Sequence, residues 1–314
     1  MTTKLRVLVG DKIAEEGVQT LRDAGIEVDV RVGLTPDELA AVIGQYDGLV
    51  VRSACKARGE AFWAGAAGAL RAIGRAGSGV DNIDLVAASA NGTLVMNTPG
   101  GNNNAVAELV LGMMFALGRQ LVRADVGMKA GRWEKSALMG DEIEGKTIGI
   151  VGLGAIGRIV ARKAGALGMR VVAYDPVVDA ENAAAAGATL LDLDALLATS
   201  DVVTLHVPLL AATKHLMNAE RLAKMKQGAW LIDAARGGIV DEAALIASLD
   251  AGHLGAAAMD VFDAEPVAAN DALATPHIGA STRQAQDKVG VQIAEQIAAY
   301  LLHGQVQFAV NEIA

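Results

Sequence analysis

The sequence predicts an α/β protein built from two doubly wound parallel sheets. Three observations carry that prediction. Short β-branched runs alternate with longer, Ala-rich stretches of helical period along most of the chain. One long apolar stretch after Pro99 contains no strand and interrupts the alternation, leaving a block on either side. The length, 314 residues, suits two domains of ~100–200 residues each.

The elements follow in order. LRVLVG (5–10) reads as a strand, AEEGVQTLRDAG (14–25) as a helix that stops at a glycine, and IEVDVRV (26–32) as a second strand. Thr35-Pro36-Asp37-Glu38 starts a helix, with Thr as cap, Pro in the first turn and acids behind it. DGLVVRS (47–53) is a buried strand, and ALRAIGRAG (69–77) and TLVMNTPG (93–100) supply two more strand-and-turn units. This block is a small flavodoxin-like sheet. GNNN is then followed by AVAELVLGMMFALGRQLVRADVGMKAG, which reads as one long apolar helix suited to bridging domains or packing on a partner subunit. Strands resume at KTIGIVG (146–152), RVVAYDP (170–176), DVVTLHVP (201–208), AWLIDAA (229–235) and LGAAAMDVF (254–262).

Composition removes several classes of function. Lys and Arg number 27 against 36 Asp and Glu, a net charge of −9, which argues against nucleic acid or an anionic membrane as partner. At 52% hydrophobic and 20% charged the chain can bury large cores, and with 3% aromatics those cores must be mostly Ala, Val, Leu and Ile. The single cysteine, Cys55, excludes an internal disulfide framework and a Cys-based zinc cluster, and no metal is expected. No apolar run reaches the ~18 residues of a membrane span, and MTTKLRVLVG enters a strand directly, so a cytoplasmic protein is expected. Glycine is in excess, 36 residues or about 11% against a usual ~7%.

The excess has a meaning in KTIGIVGLGAIGRIVARKAGALGMRVVAYDP. Gly152, Gly154 and Gly157 form G-x-G-x-x-G between a strand and a helix. The first glycine permits a tight turn, the second lets backbone approach a pyrophosphate, and the third lets helix and strand pack closely. The pyrophosphate would sit on the helix N-terminus, where free N–H groups favour an anion. Asp175 ends the next strand; a carboxylate there bonds ribose hydroxyls and repels a 2′-phosphate, which selects NAD over NADP. Alone the motif is weak, but strand, helix, strand and acid in sequence point to a dinucleotide.

Three polar groups then fall at strand ends, where ligands bind in open α/β sheets. They are Arg236 in DAARGGIVDE, Glu265 in DVFDAEP and His277 in TPHIGAS. Hydride transfer from a hydroxy acid needs a histidine to take the hydroxyl proton, a carboxylate to orient it, and an arginine to hold the substrate carboxylate. His215, His253 and His303 read as bystanders, while His206 in LHVP is placed to line the cofactor cleft.

GRAGSGVDNID, NTPGGNN, GKTIGIVGLGAIGR, ERLAKMKQGAWLIDAARGGIVDE, GAAAMDVFDAEP and TPHIGASTR together resemble the NAD-dependent D-2-hydroxyacid dehydrogenase family, over residues from about 47 to 284. The tail GQVQFAVNEI resembles the family's last strand. The resemblance implies a Rossmann dinucleotide-binding domain (98–284) inserted into a flavodoxin-like substrate domain (1–97 with 285–314). It implies that Arg236 binds substrate, that His277 is the acid/base and that Glu265 supports it. It puts Ala155, Ile156, His206, Pro208, Thr213, Ala234, Asp260 and Gly279 with the cofactor, Asp260 on the nicotinamide amide. Backbone N–H groups around Ser78 and Gly79 would hold the substrate carboxylate, which agrees with glycines at 77 and 79 as an anion nest requires. Two departures stand out. The chain stops at 314, so the family's C-terminal regulatory domain and its serine feedback are not expected. The interval from Glu265 to His277 is short, and the strand leading into the histidine reads as missing, which puts the Glu–His pairing in question.

Residues 52–75 hold Arg52, Lys56, Arg58, Arg71 and Arg75 against Glu60 alone, a local +4 in an acidic chain that would focus a small anion. By resemblance Arg52, with Ser53 beside it, and Arg75 face a distal anion on the substrate, and Arg132 and Lys135 reach a neighbouring subunit's cleft. Arg58 and Arg71 read as solvated, and Cys55 as a small buried residue. The expected substrate is a small anionic 2-hydroxy or 2-oxo acid, first 3-phosphoglycerate, with sulfolactate, hydroxypyruvate and glyoxylate as alternatives. An NAD(H)-sensing regulatory protein is the alternative of another class, and the lack of a peptide-docking segment favours the enzyme. The long apolar helix and the family's habit suggest a homodimer or homotetramer.

Overall fold

The computed structural model describes residues 4–264 and 272–313. The chain divides into two compact units, residues 1–102 with 280–314, and residues 103–279.

The first unit opens with β1 (Arg6–Val9), α1 (Glu15–Asp23), β2 (Glu27–Val30), α2 (Pro36–Ile43), β3 (Gly48–Val51), α3 (Glu60–Ala66), β4 (Ala72–Arg75), α4 (Leu85–Ala90) and β5 (Leu94–Asn97). All five strands pair in parallel in the order β2-β1-β3-β4-β5, the flavodoxin order expected of this block. The start of α2 is a reciprocal capping box: Thr35 Oγ1 accepts the Glu38 N–H at 3.3 Å and Glu38 Oε2 accepts the Thr35 N–H at 2.8 Å. β3 reads GLVV because it is buried on both faces.

The second unit begins with α5 (Asn103–Gly118) and α6 (Leu121–Lys129). The expected single long helix is therefore two helices, bent by 63° at the break. Gln120 takes the left-handed conformation there (φ 50°), which no helix interior accommodates. No single helix among the described residues is long and apolar enough to cross a membrane. Strands and helices then alternate: β6 (Thr147–Val151), α7 (Ala155–Ala166), β7 (Arg170–Tyr174), α8 (Ala180–Ala185), β8 (Thr189–Leu190), α9 (Leu193–Thr199), β9 (Val202–Leu205), α10 (Ala219–Lys224), β10 (Trp230–Asp233), α11 (Glu242–Asp250), β11 (Ala256–Met259) and β12 (Leu273–Ala274). The seven strands are all parallel, in the order β12-β11-β10-β9-β6-β7-β8. β12 corrects the reading of a missing strand before the histidine: Ala258 pairs with Leu273 and Met259 with Ala274. Two residues are too short a run for periodicity to reveal. Asp179, Asp192, Asn218 and Asp241 cap the helices α8 to α11, each accepting a backbone N–H at its N-terminus.

The chain returns to the first unit in α12 (Arg283–His303), which lies on β4 through Ile293 and Ile297, both fully buried. Gly74 makes this possible, since a Cβ there would lie 2.6 Å from Ile293 Cγ1 and 2.8 Å from Ile297 Cγ1. The tail then covers the edge of β5: Val310 N–H donates to the Val95 carbonyl at 2.9 Å, and Asn311 Oδ1 accepts the Val95 N–H at 2.7 Å.

Candidate functional site

Because both sheets are wholly parallel, each has one edge where every strand ends, and the predicted site residues gather on those edges. In the second unit the three motif glycines have three different surroundings. Gly152 has φ +97°, and a Cβ on it would meet the His206 carbonyl carbon at 2.8 Å. A Cβ on Gly154 would meet nothing within 4 Å, so its freedom serves open space in front of the helix. A Cβ on Gly157 would lie 2.2 Å from the Gly152 carbonyl oxygen, which makes it the residue that lets α7 seat against the turn. No side chain caps the N-terminus of α7, so the N–H groups that include Ala155 and Ile156 face that space. Open space before an uncapped helix N-terminus has room for a pyrophosphate, and the residues fit a dinucleotide.

Asp175, just beyond β7, reaches back to the cradle. Its Oδ2 accepts the Leu153 N–H at 2.8 Å and its Oδ1 accepts the Val177 N–H at 3.0 Å. Each oxygen retains a lone pair for a ribose hydroxyl. His206 follows β9; its Nε2 lies 3.1 Å from Thr204 Oγ1, its Nδ1 is enclosed, and burial pushes its pKa down to about 4. The ring is thus neutral, and the backbone beside Gly152 is the part of His206 nearest the cradle. Thr213 Oγ1 donates to the Pro208 carbonyl at 2.5 Å and accepts the Leu210 N–H at 2.7 Å, so it closes the turn that carries Pro208.

Ala234 and Arg236 follow β10. Arg236 is half-buried, and its guanidinium donates to the Ala235 carbonyl at 2.7 Å. Gly237 lets the turn lie flat on the chain after β11: a Cβ there would be 1.9 Å from the Phe262 carbonyl oxygen. His277 follows β12, exposed, with φ 53°. A left-handed backbone at a non-glycine residue stores strain, and such strain collects at functional loops. Asp260 holds that loop. Its Oδ1 accepts from Thr275 Oγ1 at 2.6 Å and from the Ile278 N–H at 2.8 Å, and its Oδ2 accepts the Gly279 N–H at 2.8 Å. Glu265 lies outside the described residues.

The first unit gathers the substrate candidates at the adjacent ends of β3 and β4, where Val51 pairs with Arg75. Asp11 and Asn82 pin the loop of Arg52 and Ser53. Asp11 Oδ2 accepts the Arg52 N–H at 2.6 Å and the Cys55 N–H at 3.0 Å, while Asn82 Nδ2 donates to the Arg52 carbonyl at 2.8 Å and the Cys55 carbonyl at 2.6 Å. Burial lowers the Arg52 pKa and pushes the Cys55 thiol up to about 12, with the Asp11 charge adding to the latter. Arg75 donates to the Ala76 carbonyl at 2.8 Å, and its guanidinium occupies the place where a Cβ on Gly77 (φ +143°) would stand. The turn through Ser78 and Gly79 is held by Gly77 N–H to Thr98 Oγ1 at 2.7 Å, by Ser78 Oγ to Asn102 Oδ1 at 3.0 Å, and by Asn97 Nδ2 to the Ser78 carbonyl at 2.6 Å. Arg58 and Arg71 are exposed, and Arg132 is paired with Glu134 at 3.2 Å.

Sequence reasoning missed the supports: Asp11, Asn82 and Asp233. Asp233 left a signal, an acid that directly ends the apolar strand WLID. Asp11 and Asn82 left none, since each acts on a loop remote in sequence.

Residues 111–279 match the family model described as "D-isomer specific 2-hydroxyacid dehydrogenase, NAD binding domain". A D-3-phosphoglycerate dehydrogenase of Archaeoglobus fulgidus is 45% identical over 98% of this chain and 59% of its own length. The chain thus spans little more than half of that relative. The crystal structure of the TT0316 protein from Thermus thermophilus superposes with a TM-score of 0.88 at 35% identity, covering 98% of this chain and all of that one. The NAD+-bound 3-phosphoglycerate dehydrogenase of Entamoeba histolytica superposes with a TM-score of 0.82 at 30% identity, covering 99% of this chain and all of that one.

Proposed function

The chain belongs to the D-isomer specific 2-hydroxyacid dehydrogenases, and from that membership we propose that it oxidises a D-2-hydroxy acid bearing a distal anion, with 3-phosphoglycerate as substrate and NAD as cofactor. The observation that carries the substrate assignment is the pair Arg52 and Arg75 at neighbouring strand ends, each held by backbone hydrogen bonds before any ligand arrives. The name D-3-phosphoglycerate dehydrogenase on relatives at 45% and 44% identity agrees with it.

The residues divide the work. The N–H groups at the start of α7 take the pyrophosphate, Gly154 leaves room for it, and Asp175 takes the ribose. Bound NAD supplies the two-electron acceptor for the hydride that leaves C2. Arg236 grips the substrate carboxylate with its planar fork, and in the first unit the Ser78–Gly79 turn offers N–H groups suited to an anion. His277 takes the proton from the C2 hydroxyl in the oxidation and returns it in the reverse direction. Glu265 is the carboxylate proposed to orient the imidazole.

A second copy of the chain is the proposed partner. Around the α5–α6 bend, Leu121, Val122, Val126 and Met128 are exposed beside a cavity of about 490 Å³ lined by Val122, Val126, Met139 and Trp230. Val126→Glu is expected to halve the mass measured by light scattering.

His277→Ala tests the enzymatic reading. The expected result is loss of turnover with NADH affinity within about twofold of the parent protein; unchanged turnover refutes the assignment.

A further inference from the structure

The loop after β3 carries Arg52, and residues 52–56 belong to no helix or strand. Two side chains from elsewhere in the first unit set its shape, and they divide the task by chemistry. Asp11, two residues beyond β1 and 6% exposed, has only acceptors to offer. Its Oδ2 accepts the Arg52 N–H at 2.6 Å and the Cys55 N–H at 3.0 Å, with Oδ1 3.1 Å from the same Cys55 nitrogen. Asn82 supplies donors. Its Nδ2 donates to the Arg52 carbonyl at 2.8 Å and to the Cys55 carbonyl at 2.6 Å, which uses both hydrogens of the amide. The N–H and the carbonyl of Arg52 and of Cys55 are therefore all bonded, and Ser53 and Ala54 are carried between them.

The two side chains are not interchangeable. A carboxylate at 82 would set its oxygens against two carbonyls, and an aliphatic residue at 11 would leave two N–H groups unpaired. A buried carboxylate is costly unless its oxygens are hydrogen-bonded, and both oxygens of Asp11 are. The clamp is itself seated. A Cβ on Gly10 would stand 2.9 Å from Cys55 Sγ, so the glycine gives the sulfur its place. The Asn82 carbonyl accepts the Ala57 N–H at 3.0 Å and the Ala57 carbonyl accepts the Asp84 N–H at 3.1 Å, so the segment carrying Asn82 runs paired beside the end of the loop. All the bonds from Asp11 and Asn82 go to main-chain atoms, so they fix where the Arg52 side chain starts without engaging its guanidinium. A loop that becomes ordered only on binding loses affinity to that ordering, and a charge that starts from the wrong place loses geometry as well.

We propose that Asp11 and Asn82 are positioning residues that set the selectivity for a distal anion, by holding the Arg52 loop in its binding shape before substrate arrives. This rests on the reading of Arg52 as a group that faces that anion.

The test is a ratio: kcat/KM for a 2-oxo acid with phosphate at C3 over kcat/KM for one with hydroxyl at C3. It is measured by NADH oxidation in the parent protein, Asp11→Ala, Asn82→Ala, Arg52→Ala and the double variant Asn82→Ala with Arg52→Ala. A general loss of structure lowers both numbers and leaves the ratio. Asp11→Ala and Asn82→Ala are each expected to lower the ratio about tenfold, through KM for the phosphate, with NADH affinity within about twofold of the parent because the glycine turn at 152–157 lies in the other unit. Arg52→Ala is expected to lower the ratio at least as far. Adding Asn82→Ala to it should change the ratio by less than about twofold, because a residue that acts through Arg52 has nothing left to act on. A ratio within about twofold of the parent in Asp11→Ala or Asn82→Ala overturns the proposal for that residue, and a further fall of about tenfold in the double variant overturns action through Arg52. If Arg52→Ala keeps the parent ratio, the distal-anion reading itself fails and this inference with it. If Arg52→Ala lowers the ratio and the other two single variants do not, only the present inference fails. Should those variants not fold, amide hydrogen exchange of the ligand-free parent decides. The Arg52 and Cys55 N–H groups must be protected by about 10²-fold or more, and exchange at the open-chain rate overturns the proposal.

Discussion

Gly237→Ala probes how closely Arg236 depends on its turn. The added Cβ would stand 1.9 Å from the Phe262 carbonyl oxygen, 2.4 Å from its carbon and 3.0 Å from the Asp263 nitrogen. All three are backbone atoms, so no side chain can rotate away. Ordinary C···O contact needs ~3.3 Å, so the turn must lift by about 1.4 Å. The segment beneath cannot easily yield, because Asp263 N–H is tied to Glu242 Oε1 at 2.6 Å; on the other side the Gly238 carbonyl accepts the His215 N–H at 2.7 Å. A displacement of that size at the residue proposed to position the substrate costs about 10²-fold in rate, or ~2.7 kcal/mol of transition-state stabilisation. The assay is steady-state NADH oxidation with the 2-oxo acid, alongside NADH binding by fluorescence and thermal unfolding by circular dichroism. The expected outcome is a kcat/KM about 10² lower, with NADH affinity intact, because the pyrophosphate cradle at 152–157 is separate from this turn. A folded variant within threefold of the parent would refute the reasoning.

Other outcomes follow from the same contacts. Asp175→Ala removes the acceptor for the Leu153 N–H as well as the ribose partner, and should weaken NADH binding by about 10–100-fold in a fluorescence titration. Gly74→Ala drives a Cβ against Ile293 and Ile297, and should destabilise the first unit by about 1–3 kcal/mol in urea unfolding. Cys55, with its thiol pushed up to about 12 by burial and by Asp11, should resist alkylation at pH 8, where roughly one molecule in ten thousand is thiolate, until the chain is denatured. Rapid labelling of the folded protein would contradict that environment.

Periodicity made most of the architecture legible, because strands buried on both faces read as continuous apolar runs such as GLVV and TIGIV. It failed where tertiary contacts decide. Nothing in the apolar run 103–129 announces the left-handed Gln120 that breaks it. β12 exists through pairing with Ala258 and Met259, not through two residues' own propensity. The cofactor cradle was legible because three glycines stand at fixed spacing between a strand and a helix, with an acid ending the next strand. The supports of the candidate site were less so. Asp11 and Asn82 each bond backbone tens of residues away, 41 in the case of Asp11 and Arg52, and such pairings leave no mark in a local window. Asp260 was legible as a residue, but its part in holding the His277 loop emerged only from the bonds to Thr275, Ile278 and Gly279.

The central claim is that this chain turns over a 2-hydroxy acid with a distal anion by proton transfer at His277. The most direct measurement is the rate of NADH oxidation with 2-oxo acids carrying phosphate, sulfonate, hydroxyl or methyl at C3, each with the parent protein and His277→Ala. The account predicts the highest kcat/KM for the phosphate, and its loss in His277→Ala. Tight NADH binding with no turnover on any of the four acids would contradict it.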